Sequence, residues 1–154
     1  MARVGLDRLE YLMERLAREL AMTSSSMTGL GRPIVSLEGE GAVRVLTGAD
    51  SGAIVRLGGS NLSTVTLPAL AAGLNFRFVA VTAFAHKIQG GASKIQGGYH
   101  HNNNGTTCNH VPVANRTSIA LGGNVVVGDT LEMWSDGVNW YVNGLINGAA
   151  TLGA

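Results

Sequence analysis

Two unlike patterns of apolar and polar residues follow one another along this chain. In "GLDRLEYLMERLAREL", apolar residues fall at Leu6, Leu9, Met13, Leu16 and Leu20, at spacings of three, four, three and four. That is the stripe of an amphipathic helix. Glycine is absent from Leu6 to Met22, and Leu, Glu, Arg and Ala favour helix. Glu14 and Arg18 stand one helical turn apart, where they can pair. The spacing predicts a helix over residues 5–22. From Ile34 onward the period changes to two. "PIVSLEG", "GAVRVLTG", "DSGAIVRLGG" and "STVTLPA" alternate and break at glycine or proline. "LNFRFVAVTAF" is the longest such run, and its β-branched and aromatic residues suit a buried strand. "CNHVPVAN", "RTSIALGG", "NVVVGDTLEMWS" and "VNWYVNG" continue the pattern, for about ten short strands. Punctuation this regular predicts an all-β antiparallel sandwich or barrel.

The last pair of strands can be set in register. In "GDTLEMWSDGVNWYVNG", Asp136-Gly137 is a favoured two-residue hairpin turn. Closing on it pairs Ser135 with Val138, Met133 with Trp140 and Leu131 with Val142. Leu131, Met133, Trp140 and Val142 then share an apolar core face. Trp134, paired with Asn139, and Tyr141, paired with Glu132, fall on the other face. They are either two partly exposed aromatics or a subunit interface, where Trp and Tyr are enriched.

Composition narrows the classes. A net charge of +1 and 5% aromatics give neither the basic face of a nucleic-acid binder nor a stacking platform for single strands. Glycine, at 22 residues, is about twice its usual share, while proline stays at three. No apolar run approaches a membrane span, and the acids among the first leucines do not fit a secretory leader. The single cysteine, Cys108, cannot form an intramolecular disulfide. The expectation is a soluble protein made in the cytosol.

Candidate chemistry centres on "KIQGGASKIQGGYHHNNNGTTCNH", which contains a doubled Lys-Ile-Gln-Gly-Gly unit and, with His86 just before it, all four histidines. No Asp or Glu lies between Asp50 and Asp129, which removes paired carboxylates from the middle of the chain. Neither a nucleophile elbow nor a phosphate loop is present. Cys108 and His110 could be nucleophile and base, but residues two apart on a strand share a face without needing to touch. No catalytic residue and no cofactor is assigned. His100, His101 and His110 are the candidate metal ligands, of zinc or nickel type. Their spacing matches no standard site, and adjacent histidines on a strand point to opposite faces. A trimer could bring one histidine per chain to a shared axis. The simpler reading is no metal and a polar connection, with the doubled unit forming two short edges whose glycine pairs allow a bulge.

The body resembles small β-sandwich proteins of tailed-phage virions. The resemblance rests on Asp50-Ser51-Gly52, Thr66-Leu67-Pro68, the Gly-x-x-Phe-x-Phe strand from Gly73 to Phe78, Gly128-Asp129, and the closing Ser135–Gly144 segment, in that order. It covers residues 46–148, and the helix and histidine segment have no counterpart in it. It implies a jelly roll that assembles as a homotrimer and serves as a capsid decoration (cement) protein, structural and not enzymatic. The expected organisation is an N-terminal helical arm (1–22), a linker (23–33) rich in Ser, Thr and Gly, and a jelly-roll domain (34–154). The arm could pack on its own domain. Two heptads are marginal alone, however, which favours Leu6, Leu9, Met13, Leu16 and Leu20 docking on a neighbouring subunit or the major capsid protein. The implied location is the virion surface, after synthesis in the host cytoplasm, with no nucleic-acid or membrane partner. The alternative is a receptor- or glycan-binding module of a phage fibre that uses the Asn/His loop. A third possibility, a cupin-like trimer, would want a carboxylate among its ligands, and the histidine segment offers none.

Overall fold

A computed structural model describes residues 10–17, 31–39, 41–90, 94–103, 107–148 and 150–154. The chain divides into two compact units, Met1–Arg32 and Pro33–Ala154. In the first, residues 10–17 are helical, and each of them is exposed. The rest of the helix expected over 5–22, with Leu6, Leu9 and Leu20, lies outside the described residues.

The second unit is built of strands. In chain order they are β1 (Ile34–Leu37), β2 (Val43–Val45), β3 (Ile54–Leu57), β4 (Ser63–Thr66), β5 (Ala72–Ala80) and β6 (His86–Gln89). Then follow β7 (Ile95–Asn103), β8 (Thr107–Arg116), β9 (Ser118–Leu121), β10 (Thr130–Asp136), β11 (Trp140–Ile146) and β12 (Ala150–Gly153). They form a seven-stranded sheet ordered β1-β3-β5-β10-β11-β7-β8 and a five-stranded sheet ordered β12-β9-β6-β4-β2. The fold is all-β, as expected.

The pairing departs from an antiparallel jelly roll. β1–β3, β3–β5, β2–β4, β4–β6 and β7–β11 are all parallel. The first six strands alternate between the sheets, so the chain winds as a flattened coil. Ile34 pairs with Ile54 and Ile54 with Arg77, steps of 20 and 23 residues. In the other sheet Val43 pairs with Thr64 and Thr64 with Lys87, steps of 21 and 23. Stacked coils of this kind bury a continuous core between neighbours. Only the later strands are antiparallel: β10 against β5 and β11, β8 against β7, and β9 against β6 and β12. Alternation at period two arises in either strand direction, so the sequence pattern alone could not separate the two topologies.

Inward-facing side chains of both sheets meet in one core that includes Val55, Leu57, Phe76, Phe78, Ile88, Ile95, Ile119, Met133 and Trp140. Trp140 is fully buried, with its ring 5.9 Å from that of Phe76. The doubled Lys-Ile-Gln-Gly-Gly unit serves both sheets. Ile88 of the first copy is buried from β6 and Ile95 of the second from β7. Both strands are interior to their sheets and are not the edges expected. The expected bulge is present, as a register shift between Ile95 and Gly97 against β8.

The β10–β11 hairpin keeps the expected faces but not the expected register. Ser135 pairs with Trp140, Met133 with Val142 and Trp134 with Tyr141, two residues away from a tight Asp136-Gly137 closure. The cause is the Asp136 side chain. Its Oδ1 accepts hydrogen bonds from the Val138 and Asn139 amides, both at 2.8 Å. Ser135 Oγ accepts from the Gly137 amide at 3.0 Å. Gly137 takes φ +95°, open to glycine and costly for other residues. These bonds stabilise residues 136–139 as a longer loop. A slip of two preserves the alternation, so Leu131, Met133, Trp140 and Val142 remain in the core.

Candidate functional site

The face of the seven-stranded sheet turned away from the core carries the most distinctive surface chemistry. Pairing register arranges it in rows. Asn75, Trp134, Tyr141 and Gln96 lie side by side on β5, β10, β11 and β7. In the next row Arg77 is beside Glu132 and Glu132 beside Asn143. Beyond it come Val79, Thr130, Leu145, His100 and His110.

The first row is held by its own hydrogen bonds. The Trp134 and Tyr141 rings are stacked, with centroids 6.0 Å apart and planes 20° apart. Tyr141 Oη donates to Asp136 Oδ2 at 2.9 Å. Gln96 Nε2 donates to Asn139 Oδ1, also at 2.9 Å. The Asn75 amide donates to Ser51 Oγ at 3.1 Å, which ties the row to the Asp50-Ser51-Gly52 turn. The backbone amides of Asn139 and Val138 lower the Asp136 pKa, and its Tyr141 bond adds to this. The same bond raises the Tyr141 pKa, because a phenolate beside a carboxylate is disfavoured. In the second row Arg77 Nε lies 3.8 Å from Glu132 Oε1. A hollow of about 460 Å³ opens there between Arg77, Glu132, Asn143, Leu145, His100 and Cys108.

The three candidate histidines do not all converge. His100 and His110 form a direct cross-strand pair on the outer face, with rings 5.5 Å apart and edge to face. The His110 ring lies over Gly98, where a Cβ would collide with it. His101 belongs to the opposite face, beside Asn109 and Ile146. Among the described residues, no group of three or more His, Cys, Asp or Glu side chains could hold a metal ion. Cys108 is exposed on β8, two residues from His110. The fourth histidine, His86, is fully buried on β6, with Nδ1 2.7 Å from Ser63 Oγ. Burial pushes its pKa down, against the opposing effect of a backbone bond to Thr82.

Of the expected arm residues, Met13 and Leu16 are described, and they are 64% and 59% exposed. Tyr11 and Leu12 are exposed beside them. Trp134 and Tyr141 do share a face, as the hairpin analysis expected. Asn75 and Gln96 were not expected beside them. They come from strands about forty to sixty residues away along the chain, joined to the hairpin only by long-range pairing. No helix among the described residues is long and apolar enough to cross a membrane.

The surface offers planar aromatics, amides and a balanced ion pair, which suit recognition. No family model matches the chain, and no curated protein or solved structure is detectably similar to it.

Proposed function

We propose that this chain is a structural virion protein, a capsid decoration protein that assembles as a homotrimer and uses its N-terminal helix as an anchor. The observation that carries the reading is the exposed apolar surface of residues 10–17, where Tyr11, Leu12, Met13 and Leu16 are each more than half exposed. Two heptads of helix gain little stability by themselves in water, and exposed apolar residues of this kind suit a partner. The motif order from Asp50 to Gly144 supports the virion assignment. The division of the chain into an arm-bearing unit and a body with its own core supports the anchoring role. Decoration needs many copies whose individually modest contacts add through symmetry, and a helical arm on each copy supplies one such contact. The protein would then reside on the capsid surface, with the major capsid protein as its partner.

The test changes Leu9, Met13 and Leu16 together to Asp. The body of the variant is expected to fold and trimerise as before, and the variant to fail to bind assembled capsids. Undiminished capsid occupancy by the variant would overturn the anchoring role.

A further inference from the structure

We propose that the outer face of the seven-stranded sheet binds a neutral oligosaccharide along the row Asn75–Trp134–Tyr141–Gln96. Four adjacent strands at ordinary spacing give that row a length of about 14 Å, enough for a short run of sugar units. Its chemistry matches a sugar chain. A pyranose ring has an apolar C–H face and a rim of hydroxyls. Indole and phenol rings carry flat, electron-rich faces that suit such C–H groups. The side-chain amides at either end can each offer a remaining N–H donor and a carbonyl acceptor to the hydroxyls. The two rings are near-parallel, with 20° between their planes, and form one aromatic patch on the outer face. Trp134 is 45% exposed, whereas Trp140, the other tryptophan of the chain, is fully buried.

The row is also set before any ligand arrives. Tyr141 is tethered to Asp136 and Gln96 to Asn139, and Asn75 Nδ2 donates to the Gly73 carbonyl at 3.3 Å. Tethers of this kind reduce the ordering cost of binding.

Charge narrows the ligand class. Arg77, the cation of the neighbouring row, is balanced by Glu132. Asp136 is engaged by two backbone amides and the Tyr141 hydroxyl. In these first two rows the one cationic side chain, Arg77, therefore has its counter-charge in place, which favours an uncharged glycan. A second copy of the chain is the competing occupant of such a face. A dry protein interface would strip water from the Arg77–Glu132 pair and from the amides of Asn75, Gln96 and Asn143, a cost that new partners must repay. Sugar hydroxyls can take the place of that water. The binding residues lie on the Pro33–Ala154 unit, so the site is independent of any anchoring by the helix.

The experiment is native affinity electrophoresis of the full chain through gels containing dextran, starch or galactomannan, with heparin and alginate as anionic counterparts. Calorimetric titration follows, with an oligosaccharide of whichever polymer retards the protein. At least one neutral polymer is expected to retard it. Trp134→Ala and Tyr141→Ala should each weaken binding about tenfold, and Asn75→Ala and Gln96→Ala about threefold. Trp134→Phe should retain part of the affinity. Both aromatics lie outside the core, so the melting temperatures of these variants, checked in parallel, are expected to stay near that of the parent. The proposal is overturned if no neutral polymer retards the protein, if Trp134→Ala leaves retardation intact, or if only heparin or alginate binds. It is overturned equally if the face mediates self-association that Trp134→Ala abolishes.

Discussion

His86 shows how one side chain can make stability depend on pH. It lies on β6, and nothing local in the sequence indicates that it is fully buried there. Its neutral ring is accepted there, with Nδ1 at hydrogen-bond distance from Ser63 Oγ. Burial lowers its pKa below the ordinary histidine value. Between the folded and unfolded values the unfolded chain binds more protons, so stability rises with pH across that window. The contribution is complete above the unfolded pKa, about 6.5, and is lost as pH falls below it. Urea unfolding from pH 8 to pH 5 should therefore show the midpoint decline below about pH 6.5. His86→Gln should remove part of that slope. His100→Gln and His110→Gln, which alter exposed rings, should leave it in place.

The β10–β11 hairpin shows how much of one element can be read from its residues. Its faces were legible, because Leu131, Met133, Trp140 and Val142 alternate with polar and aromatic positions whichever loop closes the pair. The register was not, because Asp136 has two competing uses. As the first residue of an Asp-Gly turn it favours tight closure. As an acceptor for the Val138 and Asn139 amides it favours the longer loop. The longer loop also frees Tyr141 to sit across from Trp134 and to bond Asp136. Asp136→Ala should therefore act at two places. The melting temperature should fall as the loop loses its acceptor. In a spectrophotometric titration the Tyr141 phenol, now raised by its carboxylate neighbour, should return toward the ordinary tyrosine range. A variant whose tyrosine titration matches the parent would contradict that assignment.

For the whole molecule, the division of the chain carries a direct expectation. All the buried apolar residues identified, from Val35 to Ile146, belong to the Pro33–Ala154 unit. A chain beginning at Pro33 should then unfold cooperatively with a midpoint close to that of the full chain, by urea titration or calorimetry. A large loss of stability would mean that the first 32 residues contribute to the body's core. The coil of β1 to β6 is the feature least visible from the residues. Its partners stand 20 to 23 positions apart, and no repeated motif marks those steps.

Local patterning was sufficient for the all-β class, for helix in residues 10–17, and for which side of the last hairpin faces the core. Those properties follow from side-chain periodicity, which each segment carries within itself. Long-range pairing had to supply the parallel coil, the burial of His86, the pairing of His100 with His110, and the row that joins Asn75 and Gln96 to Trp134 and Tyr141. Strand direction and partner choice depend on how the chain crosses between sheets, and a period of two is the same for a strand running either way.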